Sequence, residues 1–289
     1  MQSKIEIQQV SYSYHAGEKG AFEALTEVSL DIREGEFVCL LGPSGCGKST
    51  LLSLLMGCAP PTGGKILLDG KALSGPGKDR AVVFQHYSLF PWLTARKNIL
   101  FALRRNGKTH SRQELITLAD SFLEAVGLLQ AKNKYPCELS GGMQQRVAIA
   151  RALAMESDVL LMDEPFGAID PKLRGELQVL VKDLSKKHGK TVVFVTHDID
   201  EAIQVADRVV LMEPGRIREI LSVRLPDRSD KGSDAYQQLY ERLLSSYYQD
   251  SSETLSVLSD LDSETAKKLK AARDANLAAE QTVEEAGFI

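Results

Sequence analysis

Cysteine is scarce and poorly placed for structural work. The four, Cys39, Cys46, Cys58 and Cys137, form no C-x-x-C pair, which argues against a zinc site and a disulfide framework alike. Each reads as a small buried or half-buried thiol. Long apolar runs are missing too. None approaches the roughly 18 residues that a membrane-spanning helix needs, and the opening MQSKIEIQQV lacks the basic-then-apolar layout of a secretory signal. A cytosolic chain is expected, and a membrane-bound partner is not excluded. A basic excess is also absent. The formal net charge is −4, and residues 249–289 hold nine acidic and four basic side chains, which leaves the remainder near neutral. That is no footprint for nucleic acid.

What is present is an ordinary globular composition, 43% hydrophobic and 26% charged. Its 289 residues give room for one large α/β domain or two modest ones. Residues 4–40 alternate as strands do, through KIEIQQVSYSY and AFEALTEVSLDI to the apolar run EFVCLL. GKILLDGKAL reads as a strand with a turn, AVVFQ as a strand, and VLLMDEP and TVVFVTHD as buried strands. STLLSLLMGC and PKLRGELQVLVKDLSKKHG read as helices between them. Strands that alternate with helices predict an α/β fold on a mostly parallel sheet. The helix-only block near 95–155 reads as a lobe inserted into it. Residues 249–289, rich in Ser, Ala and Glu, form an acidic tail. Its widely spaced leucines fit one loosely amphipathic helix, and a mobile tail fits as well.

Chemistry is concentrated at the ends of these strands. GPSGCGKST, from Gly42 to Thr50, matches G-x-x-x-x-G-K-[ST] and sits between a buried strand and a helix. Its glycines let backbone N–H groups close around phosphate oxygens, and the helix N-terminus favours negative charge. Lys48 is placed to reach the β and γ phosphates and Ser49 to ligate Mg²⁺. VLLMDEP delivers Asp163 and Glu164 to a strand end: Asp163 supports Mg²⁺, and Glu164 polarises the attacking water. TVVFVTHD delivers His197 to the same edge as a γ-phosphate contact. Gln85, at the end of AVVFQ, is a neutral amide suited to Mg²⁺ or water. Tyr12 and Tyr14 share one face of an early strand, where a ring can stack on adenine or pack in the core. LSGGMQQRVAIARAL, from Leu139, is a second Gly-rich turn running into a helix, a second place for a phosphate.

With P-loop, glutamine loop, LSGGM, DEP and VTHD in that order, the chain resembles the ATP-binding subunit of an ABC transporter over about residues 4–225. The resemblance implies a P-loop NTPase (RecA-like) core with an antiparallel β subdomain and an inserted α-helical subdomain. It makes residues 1–248 the nucleotide-binding domain, and the cofactors ATP and Mg²⁺. It assigns ATP to Gly42, Pro43, Ser44, Gly45, Cys46, Gly47, Lys48, Ser49, Thr50 and Gln85, with Tyr14 as the adenine-stacking ring. The metal falls to Ser49, Gln85 and Asp163, and catalysis to Glu164 and His197. Ser140, Gly141, Gly142 and Gln144 form the signature that closes on the partner's ATP, and Asp170 the loop at the dimer interface.

GPGKDRAVVFQHYSLFPWLTARKNI and DEPFGAIDPKLR are closer still to importers of nitrate, taurine, sulfonates and related small anions, with bicarbonate a further candidate. That branch implies a homodimer, or a pseudo-dimer with a related ATPase subunit. The pair sits peripherally on the cytoplasmic face of the inner membrane, under two integral permease subunits fed by an external solute-binding protein. An export or extraction motor, or a soluble non-transport ATPase, are the alternatives. The cluster Phe90-Pro91-Trp92 suits docking of a membrane subunit, or packing of the helical lobe onto the sheet.

Overall fold

The alternation of apolar and polar residues in the first third of the chain produces an antiparallel sheet. In the computed structural model, which describes residues 3–15, 21–84, 89–105, 111–167 and 169–248, β1 (Ser3–Tyr14) lies between β2 (Phe22–Arg33) and β4 (Gly63–Leu68), with β5 (Lys71–Ala72) beyond β4. Ile5, Ile7 and Val10 of β1 all point into the core. Their spacing changes from two residues to three because the pairing shifts between Ile7 and Val10, where Gln9 has φ +48. The extra residue keeps Val10 inward. Gln85 and the tail 249–289 lie outside the described residues.

The apolar runs form a second sheet. Its order is β10 (Arg216–Ser222), β9 (Arg208–Glu213), β3 (Phe37–Leu41), β8 (Thr191–Thr196), β7 (Val159–Asp163), β6 (Arg80–Val83). All neighbours are parallel except the edge pair β9–β10. Every residue of β3 and β8 is buried, as strands covered on both faces require. The helices α1 (Lys48–Met56), α5 (Pro171–Lys187) and α6 (Ile199–Val205) belong to this layer: α1 packs on β7 and β8, α6 on β3, and α5 on α6. A salt-bridged lysine ties the two sheets. Lys4 Nζ of β1 lies 3.0 Å from Asp69 Oδ2 and 3.0 Å from Asp158 Oδ2, just ahead of β7.

The helix-only block is α2 (Ala95–Arg105), α3 (Arg112–Ala125) and α4 (Gly141–Ala154), which pack on one another, with α4 also on β6. α3 starts at a capping box: Ser111 Oγ accepts from Glu114 N at 3.2 Å, and the Glu114 carboxylate accepts from Ser111 N at 2.6 Å. The chain divides into two compact units, one through Ser222 and one from Val223. In the second, α7 (Asp234–Tyr248) has Tyr236, Leu243 and Leu244 buried on one face.

The central strands carry the stability. Leu161 of β7 is fully buried within the main cluster. Leu161→Ala should lower the unfolding free energy by about 2–5 kcal/mol, read as a fall in the urea midpoint at unchanged slope.

Candidate active site

The parallel register brings three strand ends to one edge. Leu41 pairs with Thr196, and Asp163 with Val195, so β3, β8 and β7 stop side by side. The loops that leave these ends carry Lys48 and Ser49, His197, and Glu164. Open parallel sheets present ligands at this carboxyl edge.

The loop 42–47 is shaped by close approach. A side chain on Gly42 would put its Cβ 2.4 Å from the Met212 carbonyl oxygen, and one on Gly47, at φ +108, would meet the Ala24 oxygen at 2.7 Å. Gly47 also stands at the N-cap of α1 without a capping side chain, so the first-turn N–H groups point at the loop's open side. Lys48 is buried, and its ammonium donates to the carbonyls of Gly42 at 2.6 Å and Pro43 at 2.7 Å. A phosphate oxygen entering the loop would compete for those hydrogens. Ser44, Gly45 and Ser49 are exposed. The Cys46 thiol faces the core, where burial pushes it up in pKa, which leaves a ligand role to its backbone alone. Tyr14 is exposed, shares a hydrogen bond of 3.1 Å with Thr50 Oγ1, and abuts Tyr12 edge-on at 5.0 Å. That tether fixes an aromatic ring beside the loop.

Ser49 Oγ donates to Asp163 Oδ1 at 3.3 Å. Two hard oxygen donors at this spacing fit Mg²⁺. Among the described residues no group of three or more His, Cys, Asp or Glu could hold a metal, and a Mg²⁺ at Ser49 and Asp163 would take its remaining ligands from water or phosphate. Glu164 follows Asp163 with φ +43, a left-handed conformation uncommon outside glycine. Its N–H is held by the Val195 carbonyl at 3.0 Å. The twist sets Glu164 Oε1 3.2 Å from His197 Nδ1, and the His197 ring is 61% exposed to the open side.

The other expected residues stand apart from this cluster. Ser140 caps α4 by accepting from Met143 N at 3.4 Å, and Gln144 Nε2 donates to the Leu139 carbonyl at 3.2 Å. Among the described residues, no hydrogen bond joins 140–142 to the loop 42–49 within one chain. Asp170 caps α5 by accepting from Leu173 N at 3.1 Å. Gln85 lies outside the described residues, but the carbonyl of Phe84 just before it accepts from the buried Gln145 at 3.1 Å. Sequence reading did not single out Gln145, nor Arg174, Thr196 and Glu201, which surround the His197 loop. No local pattern marks them, because each acts through a partner distant in the chain or outside its own helix.

The aromatic segment beyond Gln85 is displayed. Trp92 is 69% exposed, with Phe90 5.5 Å from it and 4.7 Å from Phe101. Buried Asn98 pins the turn: its Oδ1 accepts from Phe90 N at 2.9 Å, and its Nδ2 donates to the carbonyls of Phe90, Leu93 and Thr94. Trp92 therefore does not serve as the pin between lobe and sheet. Alongside runs a groove of about 360 Å³ between α2 and α3, lined by Leu93, Leu100, Phe101 and Leu115 and by the cations Lys97 and Arg104.

Comparison with known proteins places this geometry. A family model described as ABC transporter matches residues 25–167. An ABC transporter ATP-binding protein of Methanocaldococcus jannaschii is 47% identical over 224 residues, 77% of this chain and 83% of that one. The nitrate import ATP-binding protein NrtD of Synechococcus elongatus is 48% identical over 208 residues, 71% and 76% of the two chains. NrtC of the same organism, also a nitrate import ATP-binding protein, is 50% identical over 210 residues, but the match spans only 32% of NrtC. The dimeric structure of the ATP-binding cassette MJ0796 in a post-hydrolysis state, bound to ADP and Pi, superposes with a TM-score of 0.70 at 35% identity. It covers 76% of this chain and 99% of that one.

Burial holds the Asp163 carboxyl above its ordinary range; the Ser49 hydrogen bond opposes this and the Glu164 charge adds to it. The folded protein then binds this proton more tightly than the unfolded chain. Ionised Asp163 costs stability above the raised pKa, and the cost fades as pH falls through it towards 3.8. Asp163→Asn should melt a few degrees above the wild type at pH 7 without nucleotide. The gap should close in acid, as followed by thermal denaturation across pH.

Proposed function

The chain belongs to the ATP-binding subunits of ABC transporters, an ATPase family, and we propose that it hydrolyses ATP as one half of a dimer to drive import of a small anion, nitrate foremost. The observation that carries the catalytic reading is the convergence of Lys48, Ser49, Asp163, Glu164 and His197 on one sheet edge. ATP lies with its phosphates in the loop 42–50 and its adenine on Tyr14. Lys48 exchanges the carbonyls of Gly42 and Pro43 for β and γ phosphate oxygens. Ser49 and Asp163, aided by Gln85, would hold Mg²⁺, which when bound would supply charge neutralisation on those phosphates. Glu164 takes a proton from the water that attacks the γ-phosphorus, the bond to the β-phosphate oxygen breaks, and ADP and phosphate leave. His197, beside Glu164 Oε1, orients the carboxylate and reads the γ-phosphate.

The second phosphate-seeking turn explains the dimer. Ser140 uses a lone pair as a cap acceptor, so its O–H can donate to an oxygen of the γ-phosphate. In a head-to-tail pair, Ser140, Gly141, Gly142 and Gln144 close on ATP bound to the partner copy, and Asp170 lines the interface. A pseudo-dimer with a related ATPase subunit would use the same contacts. The dimeric MJ0796 cassette supports this arrangement.

Import is supported by the nitrate import relatives. No helix among the described residues is long and apolar enough to cross a membrane. In the importer reading, permease subunits carry the solute, fed by an external solute-binding protein, with this chain peripheral at the cytoplasmic face. Trp92 and the groove beside it receive the permease. Residues 1–248 form the cassette and 249–289 an acidic appendage.

Glu164→Gln should keep ATP affinity within about twofold and slow hydrolysis by about 10²–10⁴. It should also shift the protein to an ATP-dependent dimer on gel filtration; normal turnover would remove Glu164 as the base. In a strain lacking the protein, the wild type should restore uptake of nitrate in preference to taurine, alkanesulfonates or bicarbonate. Trp92→Ala should abolish that uptake while the isolated ATPase stays normal; unchanged uptake would sink the docking assignment.

A further inference from the structure

Glu164 and His197 must hold their relation while the loops that carry them, 164–170 and 196–198, meet a partner. A polar network lies behind both, with Glu201 and Thr196 buried and Arg174 and Asp198 partly exposed. Arg174, at the start of the second turn of α5, spans it. Its Nη2 donates to the Ile169 carbonyl at 3.3 Å, its Nη1 lies 3.8 Å from Asp198 Oδ2, and its Nε lies 3.6 Å from Glu201 Oε1.

Glu201 in turn fixes the residues on both sides of His197. Its Oε2 accepts from Thr196 Oγ1 at 2.7 Å, and Thr196 Oγ1 accepts from Asp198 N at 3.1 Å. Asp198 Oδ1 closes the ring by accepting from Glu201 N at 3.1 Å, which caps α6. Glu201 is only 6% exposed, so its charge depends on the cation beside it. Burial pushes its carboxyl up and the Asp198 charge adds to this, while the Thr196 hydrogen bond, then Arg174 and His197, oppose it.

The distances show how this network can move. At 3.6 and 3.8 Å the guanidinium attracts both carboxylates without a hydrogen bond to either, and Arg174 Nε is buried with no hydrogen-bond partner. An unpaired buried donor beside a buried carboxylate gains most from a small shift that closes the gap. The one hydrogen bond the guanidinium makes in this network is to Ile169, adjacent to Asp170. A displacement of that loop therefore redistributes the guanidinium between the Ile169 carbonyl and the carboxylates that hold His197.

We infer that Arg174 is a positioning residue that relays the placement of the Ile169–Asp170 loop to His197, and through it to Glu164. This rests on the proposed dimer, in which that loop faces the partner copy. Partner apposition on one side of α5 then adjusts the hydrolytic pair on the other, so cleavage is tied to a closed dimer while nucleotide binding is not.

The test uses the full chain with Mg-ATP. Arg174→Met should lower kcat about tenfold with KM for ATP within about twofold of wild type, because the residue touches no part of the nucleotide loop. Glu201→Gln should lower kcat similarly. The double variant should be no worse than either single one, since both break the same link. Arg174→Lys keeps the charge but cannot reach both carboxylates and Ile169, so it should fall between wild type and Met; it also serves if the Met variant fails to fold. Unchanged kcat in either Arg174 variant, a rise in KM without a fall in kcat, or losses that multiply to about a hundredfold in the double variant would overturn the relay. The parent reading fails separately: Glu164→Gln would then form no ATP-dependent dimer, whatever Arg174 does.

Discussion

Parallel pairing of β3, β8 and β7 in register is the constraint on which everything else hangs. A slip of one residue in β7 would turn Leu161 towards the opposite face and move Asp163 off its partner Val195. The apolar runs that enforce this register are buried on both sides, so their hydrophobic content specifies position as much as stability. The chemistry is attached to the last residue of each run and to the loops beyond. A core built for burial thereby becomes a jig that sets a hydroxyl, two carboxylates and an imidazole within reach of one another.

The polar groups at this edge are costly to keep. Asp163 is partly desolvated, Lys48 is buried against carbonyls, Glu164 is twisted, and Glu201 is a buried acid. Each is compensated locally, by Ser49, by Gly42 and Pro43, by the Val195 carbonyl, and by Thr196 with Arg174. Such concentration of perturbed groups is what functional sites look like in physical terms. The stability of the domain comes instead from the strands beneath, and from ties such as Lys4 to Asp158 that join the two sheets.

Much of this was legible in the residues because it is local. A buried strand, a Gly-rich turn and a helix in succession announce the loop at Gly42–Thr50, and the helical period marks the lobe near 95–155. The strands of the first sheet followed from alternation, and their antiparallel pairing was what the family resemblance implied. Sheet order was less accessible: β3 pairs with β8 and β9, far along the chain, and periodicity carries no record of partners. Long-range polar pairings were equally hidden. Nothing in the spacing of Arg174 and Glu201 predicts that one neutralises the other, and nothing near Gln145 reveals its bond to Phe84. Cys46 combines both kinds of reading, a loop position marked by the motif and a thiol that packing turns inward as expected of a small buried cysteine.

The left-handed backbone at Glu164 carries one more implication. Holding a non-glycine residue there costs on the order of 1–3 kcal/mol, and the neighbouring strand, through the Val195 carbonyl, resists its release. If that single peptide contact opened, the backbone at Glu164 would be free to leave the left-handed region and the carboxylate would lose its placement beside His197. Local openings of this size are far more frequent than global unfolding. Heat resistance of such a site would then be set at one peptide unit, apart from the strength of the sheet around it.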